Sequence, residues 1–409
     1  MKDIFDFISR NINSDTVRLK LSEAKKPLGF DLDYAVSQIE MRKKYAGKLK
    51  KFLNHPEFLF PDKISGEQAT HQSVADYHAG MVKDFYPSSQ NISLLDMTAG
   101  LGIDSFSFAL KNIKVTSLEQ DANKVSHLEK NASTLSLDNL KTLNVEATKF
   151  LKETSLTFDV IFVDPSRRDS QSNKVYNFHD CSPDIILNQE LIMRKSKKVI
   201  IKGSPLLDIT QTLKDFKAVE SIIVAGVKGE CKEVLIILDK TLIDKEHQIL
   251  FQAINLDNEG NVLSHFSFQK DENISSAYFD EKVNFATIDD IGPDSFILEP
   301  SAMAMKLAPW SKICTQFNAK KFDKDTHLFI SPVAPQNFPG RVTRFISFLN
   351  KENRKSLKGF PASVVSRNYP VSADQLRLQF KIKEGDKNFI YASRIEGKPV
   401  LLLSESIAG

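Results

Sequence analysis

Short apolar segments alternate with helical segments between residues 91 and 239, and this rhythm constrains the fold of the 409-residue chain most strongly. Seven segments have the pattern of strands: SLLDM, KVTSLE, LKTLNV, FDVIFVD, KVIIKG, VESIIVAG and CKEVLIIL. Near-continuous apolar runs such as VIFV are typical of strands covered on both faces by crossover helices. The pattern predicts an α/β domain over 89–245 with a seven-stranded, doubly wound sheet, whose last two strands form a hairpin at one edge.

The rest of the chain divides into three further predicted regions. Residues 1–88 have helical spacing, with one helix over 31–53 and a second over about 66–84, separated by prolines that lack a backbone donor. Residues 246–324 carry the alternating patterns LFQAINL and VLSHFSF and a helix near SAMAMKLAPWSKIC. Residues 325–409 begin with the strand HLFISP and a helix-like RVTRFISFLN, and end in strands at SVVSRNYP, LQFKI, NFIYASRI and KPVLLLSE. The last two regions are predicted to be small α+β units.

Composition excludes several classes of protein. The chain is 41% hydrophobic and 26% charged, as in ordinary globular proteins. Cys181, Cys231 and Cys314 are far apart without a CxxC pair, so we expect neither a disulfide framework nor a cysteine-rich zinc site. No apolar run approaches the ~18 residues of a spanning helix. The opening segment contains Asp3 and Asp6, which predicts neither a secretory signal nor a membrane anchor, and we expect a cytoplasmic protein.

Charge is distributed unevenly along the chain. Residues 341–409 contain 13 Lys or Arg against 6 Asp or Glu, a net charge of +7, whereas the first 340 residues carry −4. Such an asymmetry suggests a module that faces a polyanion, although a solvated basic surface explains the charge as well. The side chains that could line an RNA backbone are Arg341, Arg344, Arg354, Lys355, Lys358, Arg367 and Arg377.

The segment LLDMTAGLGIDSFSFAL carries the strongest functional signal. A buried strand ends at Asp96, a loop containing Gly100 and Gly102 follows, and a helix begins. Glycines there allow tight turning and the close approach of a ligand to the amino end of the helix. The next strand ends about 20 residues later at Glu119, a position from which a carboxylate accepts hydrogen bonds from both hydroxyls of a ribose. This pairing predicts a nucleoside-type cofactor.

The motifs DMTAGLG, SLEQD and VDPS resemble those of class I S-adenosylmethionine-dependent methyltransferases, especially enzymes that act on RNA. Asp96, Gly100 and Gly102 match the first loop, D-x-x-x-G-x-G, of that family. The resemblance implies S-adenosylmethionine as cofactor, Glu119 on its ribose, and Glu146 on its adenine. The implied cofactor-binding residues are Asp96, Thr98, Gly100, Gly102, Asp104, Glu119, Glu146 and Asp164.

Segments outside the α/β domain extend the likeness over nearly the whole chain. EQATHQSVADYHA, VDPSRRD, ILEPSAMAMK and SRNYPVSADQLR resemble bacterial methyltransferases that carry a ferredoxin-like insert and a carboxy-terminal THUMP-like domain. The resemblance implies a ferredoxin-like unit over 246–324, a THUMP-like unit over 325–409, and an RNA methyltransferase whose basic tail docks the RNA. Two alternatives stay open, a catalytically silent RNA-binding protein and a methyltransferase acting on DNA or a small molecule.

Asp164 ends the fourth predicted strand and is expected beside the methyl group of the cofactor, because ligands bind at the carboxyl ends of strands in such sheets. Amino methyltransferases carry an Asp/Asn-Pro-Pro-aromatic motif at this point, whose oxygen acceptors polarise an amino group. Here Pro165 matches, whereas Ser166 and Arg167 replace the second proline and the aromatic residue. The predicted catalytic residues are Asp164, Pro165 and Ser166.

Substrate contacts are predicted in the loop that follows. Tyr176 or Phe178 could stack on a base, and the guanidinium groups of Arg167 and Arg168 are suited to phosphate, although internal salt bridges explain them equally well. His179 is a weaker candidate for a general base.

The predicted helix over 66–84 carries Glu67 and His71 one turn apart on one face. We expect this helix to pack over the cofactor pocket rather than to bind a metal.

Overall fold

The computed structural model describes residues 2–167, 178–271 and 283–407. Contacts divide the chain into two compact units. The first contains Met1–Lys228, Lys232–Glu246 and Leu256–Val262, and the second contains Gly229–Cys231, His247–Asn255 and Leu263–Gly409. Among the described residues, no helix combines the length and the apolar character needed to cross a membrane.

The amino-terminal region is helical, as its sequence predicts, but the single helix predicted over 31–53 is wrong, because a turn at residues 46–49 divides it into two helices. Its helices are α1 (Lys2–Arg10), α2 (Thr16–Glu23), α3 (Leu32–Tyr45), α4 (Lys50–Leu53), α5 (Lys63–Gln68) and α6 (Gln72–Phe85). The single helix predicted over 66–84 is wrong, because α5 ends before an extended His71 that caps α6 by accepting a hydrogen bond from the Ser73 amide. Glu67 and His71 therefore do not share a helix face.

A large sheet follows in the chain. Its first strands and helices are β1 (Ser93–Asp96), α7 (Ile103–Leu110), β2 (Lys114–Glu119), α8 (Ala122–Thr134), β3 (Leu140–Asn144), α9 (Ala147–Glu153) and β4 (Phe158–Val163). A small ribbon of β5 (Ser166–Arg167) and β6 (Cys181–Ser182) comes next. The remaining elements are α10 (Gln189–Lys195), β7 (Ser196–Gly203), α11 (Ile209–Asp215), β8 (Val219–Val227), β9 (Glu230–Asp239), β10 (Gln248–Leu256) and β11 (Val262–Asp271).

The strand order of this sheet is β11-β10-β8-β9-β7-β4-β1-β2-β3. All seven predicted strands are present, but the prediction of a seven-stranded sheet is wrong, because the described sheet has nine strands. The hairpin of β8 and β9, with positive φ at both Lys228 and Gly229, is also not an edge. Strands β10 and β11 continue the sheet beyond β8 and so pair backbone groups that an edge would leave open.

Strands β3, β2, β1, β4 and β7 run parallel, and β9 is antiparallel to β7. The chain proceeds from β1 in one direction to β2 and β3, and then returns to the other side of β1 with β4. The reversal of strand order therefore lies between β1 and β4, the position at which sheets of this type bind ligands.

The second unit contains a seven-stranded sheet with the order β13-β14-β12-β15-β18-β17-β16. Its strands are β12 (Phe296–Pro300), β13 (Lys320–Asp323), β14 (Thr326–Ser331), β15 (Gly340–Phe348), β16 (Ser363–Ser366), β17 (Asn388–Ile395) and β18 (Lys398–Ser406). Its helices are α12 (Ala302–Leu307), α13 (Trp310–Gln316) and α14 (Ala373–Phe380). The sheet draws strands from both of the last two predicted regions, whose boundaries stay predictions.

Two segments of this unit differ from their predicted structure. RVTRFISFLN, predicted as a helix, forms β15, in which Thr343 and Phe345 are buried and Arg344 between them is exposed. Alternation with β-branched residues outweighs the helical spacing there. LQFKI, predicted as a strand, contains the end of α14, which starts with a capping box of Ser372 and Gln375.

Two buried amides attach the amino-terminal region to itself and to the sheet domain. Gln38 bonds the backbone N–H and C=O of Phe60 at 3.0 and 2.8 Å, and Asn131 bonds those of Leu59 at 2.9 and 2.8 Å. Both amide side chains are fully buried. They satisfy backbone groups that would otherwise be buried without partners.

We expect Asn131→Ala to lower the free energy of unfolding by roughly 2–4 kcal/mol, because it leaves the Leu59 N–H and C=O unpaired in the interior. Urea unfolding at pH 7 measures the change. Asn123→Ala, an exposed position on the same helix, is the matched control and should change stability by no more than about 0.5 kcal/mol. Equal effects of the two variants would contradict this account of Asn131.

Candidate active site

The carboxyl ends of β1, β2 and β4 carry acidic residues that the sheet brings to one edge. Asp96 ends β1, Glu119 ends β2, and Asp164 follows β4 directly. Asp96 is paired in register with Ser117 on one side and Phe162 on the other. The three predicted residues therefore surround one loop, the segment 97–102 that connects β1 to α7.

Asp96 fixes this loop through hydrogen bonds to its side chain. Its carboxylate accepts hydrogen bonds from the Thr98 amide at 3.0 Å and from the Ser105 hydroxyl, and the side chain is 1% exposed. Desolvation raises the pKa of Asp96 to about 7, although both hydrogen bonds favour the ionised form. Asp96 thus fixes the loop and is not itself open to a ligand.

The two glycines of the loop have different physical roles. Gly102 has φ +94°, and a Cβ there would lie 2.3 Å from Leu128 and 2.7 Å from Phe106. Gly100 has φ +55°, and a Cβ there would meet only the Thr98 carbonyl oxygen, at 4.0 Å. Gly102 is therefore required for packing at the start of α7, whereas Gly100 leaves open space above the loop.

Glu119 is tied to the same loop. Its two oxygens accept hydrogen bonds from the amides of Gly100 at 3.2 Å and Asp121 at 2.9 Å. The side chain is partly exposed, and each carboxylate oxygen keeps a further lone pair for a ligand hydroxyl. Glu146 is exposed and caps α9 by accepting hydrogen bonds from the amides of Thr148 and Lys149 at 2.8 and 2.7 Å.

Asp164, directly after β4, is also bonded to the loop. Its amide donates to the Thr98 hydroxyl at 2.7 Å, and its carboxylate accepts a hydrogen bond from the Lys202 ammonium, also at 2.7 Å. The Asp164 side chain is 37% exposed, whereas that of Lys202 is 12% exposed. Ser166 follows on β5, exposed and in register with Ser182.

Lys202 belongs to a closed, buried ring of polar side chains that the sequence did not reveal. The Thr70 hydroxyl accepts from Lys202 at 2.9 Å and donates to Asp104. Asp104 contacts Nδ1 of His78 at 2.8 Å, and Nε2 of His78 contacts Glu233. A 4.0 Å ion pair between Glu233 and Lys202 completes the set, which we call the buried ring.

The opposite charges of the buried ring stabilise one another in their ionised forms. Desolvation lowers the pKa of His78, but Glu233 and Asp104 more than offset this and raise it to about 9. Burial would raise the pKa of Asp104, yet His78 and Lys202 hold it below its ordinary value. Desolvation lowers the pKa of Lys202, but Asp164, Glu233 and Asp104 raise it overall. Near neutral pH the imidazole and the amine of the ring are therefore both cations.

Four separate parts of the chain supply the five residues of the buried ring. Thr70 precedes α6, His78 lies on α6, Asp104 on α7, Lys202 on β7 and Glu233 on β9. Asp104, predicted to bind the cofactor, is 9% exposed and engaged within the ring. The available signal was a charged residue directly beside an apolar run, Lys202 after VII and Glu233 before VLII, in strands that carry further charged residues.

The predicted substrate-binding residues lie at several places. Phe178 is buried and packs on Phe216 with ring centroids 5.4 Å apart, so its ring belongs to the core. Arg167 lies on β5, while Arg168 and Tyr176 fall outside the described residues. Within the described ranges, no group of three or more His, Cys, Asp or Glu side chains is arranged to hold a metal ion.

Most of the predicted RNA-facing arginines of the tail are ion-paired within the second unit. Glu299 contacts Arg341 at 2.9 Å and Arg367 at 3.3 Å. Arg344 pairs with Glu405, and Arg377 pairs with Glu384 at 2.8 Å. These arginines are 32–58% exposed, and exposed pairs of this kind contribute only about 0–1 kcal/mol, so an anionic ligand can compete for them.

Comparison with known families matches three parts of the chain. Residues 80–218 match a family described as conserved hypothetical protein 95, residues 296–339 a ferredoxin-like domain, and residues 341–406 a THUMP domain-like family. The domain combination that the sequence resembles is thereby confirmed.

Individual relatives agree with these matches. A ribosomal RNA small subunit methyltransferase J of Francisella philomiragia is 27% identical over 139 residues, covering 28% of this chain and 56% of the relative. An uncharacterised RNA methyltransferase of Mycoplasma mobile is 27% identical over 97 residues, covering 24% of this chain and 26% of the relative. This chain thus spans about half the length of the first relative and a quarter of the second.

A solved structure shares the fold. The crystal structure of a candidate methyltransferase from Porphyromonas gingivalis W83 superposes with a TM-score of 0.81 at 21% identity. The match covers 99% of this chain and 98% of that one.

We expect the free energy of unfolding to decrease as the pH rises from about 6.5 through about 9. The folded state raises the pKa of His78, so the stabilisation is complete below the ordinary pKa of the imidazole and is lost as the folded-state pKa is passed. Glu233→Gln removes one of the two flanking carboxylates and so lowers the folded-state pKa of His78. The decrease should therefore be smaller than in the wild type and should end at lower pH. Urea unfolding at a series of pH values measures both profiles.

Glu220→Gln is the matched control, because Glu220 pairs with Lys198 outside the buried ring. This variant should keep the pH interval of the wild type. Superimposable profiles for the wild type and Glu233→Gln would contradict the assignment of the proton to His78.

Proposed function

We propose that this protein is an S-adenosylmethionine-dependent methyltransferase that acts on RNA. The observation that carries the proposal is the loop 97–102, held by Asp96 from below and flanked by the carboxylates of Glu119 and Asp164. The matched relatives named as RNA methyltransferases, and the THUMP domain-like match, support the choice of RNA.

The donor set around the loop fits this cofactor. Glu119 offers free lone pairs to two adjacent ribose hydroxyls, and the bare Cα of Gly100 lets the nucleoside approach the backbone. Glu146 lies in the connection from β3 to α9, and its carboxylate is exposed. We propose that it contacts the adenine. When bound, S-adenosylmethionine supplies a methyl group on a positively charged sulfur.

We propose that Asp164 and the two residues after it bind the group of the RNA that accepts the methyl group. The Asp164 carboxylate and the backbone carbonyls that follow it can accept hydrogen bonds from an amino group and orient its lone pair. Transfer demands mainly proximity and alignment, which a fixed carboxylate at the end of a buried strand provides. Lys202 keeps that carboxylate in one position.

Transfer of radiolabelled methyl groups from S-adenosylmethionine tests the proposed activity. Total RNA, total DNA and a small-molecule extract are incubated separately with the full chain, and label is expected in RNA. Label in DNA or in small molecules, but not in RNA, would show that RNA is not the substrate. Binding of S-adenosylmethionine without label in any fraction would favour a catalytically silent RNA-binding protein.

We expect Glu119→Ala to weaken S-adenosylmethionine binding at least about tenfold, because hydrogen bonds to a charged group contribute about 1.5–3 kcal/mol each. Isothermal titration calorimetry measures the dissociation constant. Glu129→Gln, an exposed carboxylate on α8, is the control and should leave it unchanged. An unchanged constant for Glu119→Ala would show that the ribose does not bind there.

We expect the triple variant Arg341→Gln, Arg344→Gln and Arg377→Gln to bind RNA more weakly and with a flatter salt dependence. Each lost phosphate contact reduces the logarithmic salt slope by about 0.7–0.9. The control changes three ion-paired lysines of the amino-terminal region, Lys20, Lys26 and Lys63, to Gln. If both triple variants kept the affinity and salt slope of the wild type, the tail would have no role in RNA docking.

A further inference from the structure

Asp164 is the third carboxylate in a group whose direct contacts include two buried cations, Lys202 and His78. Inside the buried ring, Lys202 and His78 are balanced by Asp104 and Glu233. Asp164 adds a further negative charge through its 2.7 Å contact with Lys202. These contacts join three carboxylates to two cations, and Asp164 has the most exposed side chain of the five. Desolvation raises the pKa of Asp164, and Lys202 opposes this by favouring the ionised carboxylate.

The position of Asp164 relative to Glu119 determines what this charge would face. Both are bonded to the same short loop, Glu119 through the Gly100 amide and Asp164 through the Thr98 hydroxyl. In S-adenosylmethionine the sulfur is attached to C5′ of the ribose. With the ribose hydroxyls on Glu119, a cofactor lying along the loop therefore directs its sulfur toward Asp164.

We propose that Asp164, held by Lys202 and the buried ring, is the counter-charge of the cofactor's sulfonium, so that the site prefers the charged cofactor to its neutral demethylated product. This inference rests on the proposed function and adds a specificity-determining residue to it. The product, S-adenosylhomocysteine, keeps every other group of the cofactor and differs by the methyl group and the positive charge. Loss of that charge on transfer would weaken binding and favour product release.

The ring explains why Asp164 can serve this purpose. A carboxylate that is free to turn into water would lose most of its attraction for a cation through solvation. Lys202 is fixed by Thr70, Glu233 and Asp164 together, and so holds the Asp164 carboxylate at the edge of the sheet. The attraction is therefore preorganised and does not need to be assembled when the ligand binds.

The same two strands carry a second Asp–Lys pair that serves as a control. Asp159 and Lys197 lie near the amino ends of β4 and β7 and are 2.7 Å apart, the same separation as Asp164 and Lys202. Lys197 is 69% exposed and lies at the opposite end of these strands from the loop. Asp159→Asn thus makes the same chemical change at the other end of β4, away from the proposed sulfonium. Asp159 also accepts hydrogen bonds from the amide and hydroxyl of Ser93 at 2.9 and 2.8 Å, and an asparagine oxygen can keep accepting them.

Calorimetric titration of the full chain with S-adenosylmethionine and with S-adenosylhomocysteine tests the inference. For Asp164→Asn we expect the affinity for S-adenosylmethionine to fall about tenfold, the order expected for one unit charge a few ångströms from a sulfonium at a partly solvated site. The affinity for S-adenosylhomocysteine should change less than about twofold. Asp159→Asn should keep the wild-type ratio of the two dissociation constants.

The outcomes separate the inference from the proposed function. If Asp164→Asn changed both affinities equally, the cofactor site would stand and the role of Asp164 as counter-charge would be wrong. If the wild type bound neither compound, the proposed function would fail and the inference with it.

A measurement on the wild type tests the inference even if the Asp164→Asn variant does not fold. An analogue with a protonated amine in place of the sulfonium should bind more tightly than S-adenosylhomocysteine, because it restores the positive charge. Weaker or equal binding of this analogue would overturn the inference.

Discussion

The buried ring of Thr70, His78, Asp104, Lys202 and Glu233 is the interaction on which the candidate site depends. Burying charged groups costs several kcal/mol for each ion unless every charge is paired and hydrogen-bonded, and here each member contacts two others. Removal of one member would leave an uncompensated buried charge. The ring also joins α6, α7, β7 and β9, so the amino-terminal helices are part of the site's support.

The neighbouring strands β4 and β7 have an Asp–Lys pair at each end, and the two pairs differ in their surroundings. In the Asp159–Lys197 pair the lysine is 69% exposed, and the Asp159 carboxylate is also held by the amide and hydroxyl of Ser93. Asp164–Lys202 has the same geometry, but its lysine is buried in the ring and its carboxylate faces the loop at the point where the strand order reverses. Burial and topology therefore decide which pair belongs to a ligand site, since the chemistry of the two pairs is the same.

The sequence predicted the local part of the site and missed the part assembled by tertiary structure. Asp96, Gly100 and Glu119 lie on one short stretch of the chain, from β1 through α7 to β2, and the structure brings them around one loop. Lys202 and Glu233 each lie beside an apolar run in strands that carry further charged residues, and nothing local links them to His78. The two wrong assignments in the second unit, β15 and α14, concern short segments whose apolar spacing suits a helix and a strand equally. The nine-stranded sheet was missed because the pairing of β10 is a non-local contact.

A crystal structure of the full chain with S-adenosylmethionine tests the central claim most directly. The account predicts the ribose hydroxyls on the Glu119 carboxylate, and the sulfonium facing an Asp164 carboxylate that still contacts Lys202. An adenosyl group bound away from the loop 97–102, or an Asp164 side chain turned away from the sulfur, would contradict it.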